Sequence, residues 1–322
     1  MIRKEKVIIK DEQGLPNYMT AFIWEGSMDP AEVPAMFKVK GEVVQAVLVS
    51  QFHNSNVGGV PCSLPYREPW TSISMDKAAK ACREKGQGWH LLTNTEYAFL
   101  LEESWKLGTE PHGNTDWGKD FDHPEEKGVV YRNGYTLTGL DPVTWSHDHT
   151  EGGVFGLKGN VWEIVQGLRL HRGTVEYIKD NDAAAADTDT GKDSPEWTVA
   201  TTEDGQAVKL SADGKGVVIT TGQAKAAWDG CHMKDVQLDG VDKVPQILFD
   251  LGVFPPDWES RKDGIYVDSD EEETVPFRGS SFDSTSHGGP SAVDLDSPRS
   301  HVAVYVGFRS ALYLKNWKPK TE

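Results

Sequence analysis

Phe277-Arg278-Gly279-Ser280-Ser281-Phe282 opens a segment that closes on Val306-Gly307-Phe308-Arg309. Between these ends the chain is written mainly in Ser, Asp, His, Gly, Pro and Thr. From Pro276 to Leu314 it contains no Lys, Glu, Gln, Met or Trp, although those five types make up about a fifth of all residues. Something restricts the residue alphabet between these two framed ends. Gly307-Phe308-Arg309 reads as the end of a central strand. Phe308 belongs in the core there, and Arg309 is a buried hydrogen-bonding post.

Upstream, residues 1–55 carry β-type runs at Val7–Lys10, Met19–Trp24 and Val43–Phe52, punctuated by Gly and Pro. Two amphipathic helices follow. Ser74 begins the first, with Ala78, Ala79 and Cys82 at helical spacing and Gly86 as the stop. Thr93-Asn94-Thr95-Glu96 is a capping box that begins the second, ahead of Tyr97, Leu100, Leu101 and Trp105. After Gly108 the chain becomes irregular and rich in Gly, Asp, His and Trp as far as Glu163, a long structured loop of the kind knitted by aromatic packing. Residues 171–222 read as a β insertion, a small hairpin excursion that includes the Ala/Asp/Thr-rich tract Asn181–Lys192. Pro245 sets the first turn of a short helix over Val244–Leu251, Gly264–Val267 is a strand, and Glu271-Glu272-Glu273 is a solvated turn. This order predicts an α+β fold in which two helices pack on antiparallel sheet beside long structured loops, within a single domain spanning 1–322.

Bulk numbers narrow the function. At 322 residues the chain buries roughly three quarters of its unfolded surface. A net charge of −17 repels phosphate backbones and anionic lipid, which argues against nucleic-acid and membrane-surface partners. Cys62, Cys82 and Cys231 are widely spaced and form no CxxC, so neither a disulfide framework nor a zinc site is expected. The N-terminus lacks the apolar core of a signal peptide, and no apolar run reaches bilayer length. The chain is expected to be made in the cytoplasm and to stay soluble. A surface role would then require another route, such as assembly into a virus particle.

Taken in order, Trp89-His90-Leu91-Leu92-Thr93-Asn94-Thr95-Glu96-Tyr97, Gly156-Leu157-Lys158-Gly159-Asn160-Val161-Trp162-Glu163, Phe277-Arg278-Gly279-Ser280-Ser281-Phe282 and Gly307-Phe308-Arg309 resemble the signature series of the C-type lectin fold in its formylglycine-generating-enzyme subtype. The resemblance covers about residues 60–170 and 240–314. The N-terminal strands and the 171–222 insertion lie outside it. Gly159 suits a left-handed turn, and Trp162 offers a large face to bury. Glu163 is left with two readings: a structural calcium held together with Asn160, as in some members of the family, or a pairing with Arg309 or Arg278.

The enzymes of that family bind copper through cysteines between the third and fourth motifs, and this chain has no cysteine there. His287 and His301, with Asp283, Asp294 and Asp296, could form a His/carboxylate site, which gives the rival reading: an iron- or copper-dependent oxygenase or sulfoxide synthase. His147-Asp148-His149 is a second sequence open to a metal reading, though its surroundings suggest a hydrogen-bonded loop. No GxSxG, HExxH or Walker loop occurs. The chain also resembles the variable proteins of diversity-generating retroelements, lectin-type scaffolds whose variable region lies between an Arg-Gly-x-Ser motif and a Gly-Phe-Arg motif. Adenine mutagenesis of AAT or AAC codons reaches many residue types but none of the five missing ones. The resemblance implies a non-enzymatic, cofactor-free binder of a protein or glycan on another cell or particle, with its variable region within 277–309 and its varied positions at about 281–305. Phe282, Asp283, Ser284, Thr285, His287, Asp294, Asp296, Ser300, His301 and Tyr305 are the expected ligand-facing residues, Phe282 alternatively as core. No heptad segment enforces an oligomer, so oligomeric state is open.

Overall fold

A computed structural model describes residues 1–318 of the chain. It is an α+β fold, mostly sheet, with three α-helices among the described residues. None of these helices is long and apolar enough to cross a membrane.

The first sheet has five strands, in the order Ile2–Lys10, Pro16–Trp24, Ala46–Ser50, Ser310–Leu314 and Trp89–Leu91, all paired antiparallel. Alternation along these strands feeds two cores. Phe22, Val47, Val49 and Ala311 face helix α2 (Asn94–Leu107) and its Tyr97, Leu100 and Leu101, while Met19, Ala21, Ile23, Leu48 and Leu312 pack with Trp89 on the other side. The strand Ser310–Leu314 therefore lies inside this sheet, between Ala46–Ser50 and Trp89–Leu91. The predicted capping box forms: Thr93 Oγ1 accepts from Glu96 N–H at 3.1 Å, and Glu96 Oε2 accepts from Thr93 N–H at 3.0 Å. Gly108 then ends the helix in the left-handed region. Helix α1 (Met75–Arg83) follows Ser74 as predicted, but much of its packing is against a second sheet.

That second sheet is mixed and six-stranded, in the order Trp228–His232, Gly264–Asp268, Val293–Leu295, Phe277–Arg278, Trp162–Ile164 and Val306–Phe308. Val306–Phe308 lies at its edge, not at its centre as the sequence suggested. The central places belong to Val293–Leu295 and Phe277–Arg278; Trp162–Ile164, second from that edge, pairs antiparallel with Phe277–Arg278 on one side and parallel with Val306–Phe308 on the other.

The 171–222 region is more than a hairpin excursion. Its sheet runs from Leu168–His171 through Thr174–Tyr177, Lys209–Ala212 and Val217–Thr220 to Gln237–Asp239, with Thr198–Val199 paired on Thr174–Tyr177. Leu168, Leu170, Val175, Leu210 and Ile219 share one core with Ile265, Val267, Val293 and Leu295 of the mixed sheet and with Leu248 of the third helix, Gln246–Asp250. The insertion thus backs the mixed sheet from behind. The tract Asn181–Lys192 is also tied in: Asn181 Nδ2 donates to Glu96 Oε1 at 2.9 Å, and Ala183–Ala185 are buried. Glu273, expected in a solvated turn, is 7% exposed because Arg169 and Arg299 both pair with it at 3.0 and 2.7 Å. Only its neighbours Glu271 and Glu272 are exposed.

A candidate ligand-binding face

The frame is built from the motif residues. Gly159 (φ +75°) lies where a Cβ would stand 2.1 Å from the Asn114 carbonyl oxygen, so no other residue fits without moving backbone. Next to it Asn160 Oδ1 accepts from Thr136 N–H at 2.9 Å and from Asn114 Nδ2 at 3.2 Å, pinning the long loop to the start of the Trp162–Ile164 strand. Glu163 is held by Arg309 in a two-pronged pair, Nε to Oε1 at 2.5 Å and Nη2 to Oε2 at 2.8 Å. Arg309 also donates to the carbonyls of Ser50 and Phe155, and both partners are fully buried. Burial opposes the charge on Glu163, but Arg309 and His53 beside it bring its pKa below the ordinary carboxylate range. Of the two readings of Glu163, the pairing with Arg309 is the one present. The guanidinium takes both oxygens that a calcium ion would need, and Asn160 is occupied elsewhere.

Side chains on one face of the mixed sheet follow from register. Gly230, Tyr266, Asp294, Phe277 and Ile164 are cross-strand neighbours in that order, so they point the same way. At one end Trp162, Ile164, Phe277 and Phe308 are covered by Ile73, Met75, Ala78 and Cys82 of the α1 region. At the other end no α-helix among the described residues packs on the sheet, and only the short turn Thr285–His287 reaches it, through His287. There the Tyr266 ring lies flat on Gly230, whose Cβ would stand 2.3 Å from the ring. Trp162 meets the ring edge-on at 6.2 Å, and the Tyr266 hydroxyl is 3.2 Å from His287 Nδ1. His287 in turn stacks on His232 at 4.0 Å. Trp228 is 58% exposed, and its Nε1–H donates to Asp296 Oδ2 at 2.6 Å.

Charge on this half-face is one-signed. Burial and neighbouring Asp296 push the Asp294 carboxyl well above the usual range. Burial and the same two carboxylates push the Tyr266 phenol up to about 12, and Tyr305 rises for the same reasons with Asp283 contributing. His287 is lowered by burial and by His232. The arrangement offers aromatic planes beside hydrogen-bond acceptors, a surface suited to holding a partner.

The structure gathers Asp283, His287, Asp294, Asp296 and Tyr305 around Tyr266. Asp283 and Tyr305 are exposed, and the other three are half-buried. Ser284 Oγ accepts from Ser281 N–H at 3.0 Å and braces the turn, while Thr285 adopts φ +48° beside it. Ser300 and His301 lie apart, along the start of α1: Met75 N–H donates to the Arg299 carbonyl, and the His301 ring rests 5.7 Å from Phe277. Phe282 does not face a ligand. It is 5% exposed, wedged between Trp117 at 4.9 Å and Tyr135 at 5.2 Å, because the loop folds over it. Trp228, His232 and Tyr266 were missed, since they come from strands outside the 277–309 segment. Tyr266 could have been found as the aromatic that alternates with Ile265 and Val267.

His147 and His149 do not form a site together. His147 Nδ1 accepts from Val154 N–H at 2.8 Å, and His149 Nε2 contacts the Glu110 carbonyl at 3.0 Å. Among the described residues no three His, Cys, Asp or Glu side chains converge as a metal-binding group. No known family model matches the chain, and no curated protein matches it.

Proposed function

We propose that this chain is a ligand-binding display protein with a C-type lectin fold of the formylglycine-generating-enzyme subtype, diversified over about residues 281–305 by a retroelement. One observation carries the reading. The two ends of the segment are strands bonded to opposite sides of Trp162–Ile164, whereas Asp283, His287, Asp294, Asp296 and Tyr305 between them gather on the uncovered half of one sheet face. Fixed ends and a fixed strand at Val293–Leu295, with accessible side chains between them, are what a scaffold needs if those accessible side chains are to be exchanged without a folding penalty, since exposed substitutions usually stay within about 0.5 kcal/mol. The ligand is a protein or glycan on another cell or particle, and the protein itself performs no reaction.

The coding DNA tests this directly. A near-copy of the codons for residues 281–305 that differs only opposite adenines, close to a reverse transcriptase gene, is the expected finding. A locus with neither removes the diversification half of the proposal. The rival enzyme reading makes a different prediction: purified protein would carry stoichiometric iron or copper that is lost in His287→Ala or His301→Ala.

A further inference from the structure

Beyond the Val306–Phe308 edge of the mixed sheet, where Trp70 packs on Phe308, is a cleft of about 470 Å³, walled by Arg67, Glu68, Trp70, Arg132 and Tyr135, with Val304 as its one contribution from the 277–309 segment. That volume is in the range of small-molecule sites, about 300–1,000 Å³. We infer that this cleft is a fixed binding site for a small hydroxylated carboxylate of the sugar-acid class, built from the frame and separate from the variable positions.

The argument begins with charge. Arg132 is committed: its Nε and Nη2 each meet the Glu68 carboxylate at 2.9 Å, a two-pronged pair that neutralises both. Arg67 is anchored through its backbone: its N–H lies 3.3 Å from Thr138 Oγ1, and its carbonyl accepts from Thr138 N–H at 3.0 Å. Its guanidinium has no partner among the described residues, in a chain of net charge −17. The cleft therefore presents one uncommitted planar cation, which matches one carboxylate through two parallel hydrogen bonds. A phosphate monoester carries closer to two charges and would be left half-paired.

Other walls supply the rest of the recognition. Trp70 is half-buried, braced from behind by Phe308 at 5.5 Å, and offers a rigid apolar plane to the C–H face of a ring. Asn56, Thr71, Ser72 and Asn133 line the same cleft with amide and hydroxyl groups suited to ligand hydroxyls. The Tyr135 hydroxyl donates to the Val304 carbonyl and holds the fourth side in place. Backbone strain concentrates here as well: Ser72 (φ +59°), Asn133 (φ +53°) and Tyr66 (φ +63°), next to Arg67, all occupy the left-handed region. Non-glycine residues in that region cost about 1–3 kcal/mol each and tend to cluster at ligand clamps.

The test is an NMR titration of the ¹⁵N-labelled protein, following the Trp70 indole signal, which Trp70→Phe identifies. The probes are sodium glucuronate, glucose, glucose 6-phosphate and inorganic phosphate. Glucuronate should move the signal and saturate in the millimolar range, and Arg67→Gln should weaken it at least tenfold. Glu203→Gln, an exposed change outside both surfaces, should bind as the parent does. The inference is overturned if glucuronate leaves the Trp70 signal in place up to about 20 mM. It is equally overturned if glucose or a phosphate binds as well as glucuronate, or if Arg67→Gln binds unchanged. Arg67 is exposed, so its replacement does not threaten folding. None of these outcomes bears on the retroelement reading, which is decided by the coding DNA.

Discussion

One face of the mixed sheet carries Phe277, Ile164 and Phe308 at one end and Tyr266, Asp294 and Trp228 at the other, yet the two ends have opposite characters. The strands are continuous and the register unbroken; what differs is the cover. Helix α1 closes the first end with Met75 and Ala78, so every side chain there is held by its neighbours. The second end is closed only from behind, by the core shared with the 168–239 sheet. A face supported from beneath and open above can change its side chains while keeping its backbone in place.

The largest effect should come from the covered side. Arg309→Met leaves Glu163 buried without its guanidinium, with only His53 beside it, and should cost about 3–5 kcal/mol in urea unfolding. Glu163→Gln combined with Arg309→Met should recover much of that loss. A cost below about 1 kcal/mol for the single change would break the contrast.

Second comes a pair of glycines. Gly159→Ala drives a Cβ into the Asn114 backbone at positive φ and should cost about 2 kcal/mol or more. Gly230→Ala meets only the Tyr266 ring, which can swing away, and should cost about half as much while shifting the near-ultraviolet spectrum of that tyrosine. Equal costs would mean that the open half is as rigid as the frame.

Third, Asp294 gives the open half a pH signature. Its folded-state pKa lies above that of an unfolded Asp, so between the two the native state holds the extra proton. Stability therefore falls as pH rises through that window, and the cost is complete above it. Asp294→Asn should raise Tm at pH 8 by about 2–4 °C, with the gain vanishing as pH falls below about 3.9. A gain that grows on acidification would contradict the assignment. The smallest effects belong to Asp283→Ala and Ser300→Ala, each expected within about 0.5 kcal/mol of the parent. Larger losses would show that these positions are structural.

How much of this was legible in the sequence follows the range of the interactions. Thr93 with Glu96, Ser74 ahead of α1, Pro245 ahead of the short helix and the alternation at Gly264–Val267 are local signals, and each produced the expected element. Glu273 misled because three successive glutamates look solvated, and only the distant Arg169 and Arg299 reveal its burial. Phe282 is buried by Trp117 and Tyr135, more than a hundred residues earlier in the chain. The candidate face was half visible: its aspartates and His287 lie within one segment, but Trp228, His232 and Tyr266 join them only through strand pairing.

The attachment of both segment ends to Trp162–Ile164 also bears on length. Phe277–Arg278 and Val306–Phe308 are moored independently to the same strand, and Val293–Leu295 between them is moored to Phe277–Arg278 and to Gly264–Asp268, so the span divides into two loops, each closed by its own anchors. Doubling such a loop adds only about 0.6 kcal/mol of closure entropy. An insertion at the exposed Ser300, between the Arg299–Glu273 pair and the Ala303 carbonyl that accepts from Ser72 N–H, should therefore cost little more than a point change, so this segment can differ there in size as well as in spelling.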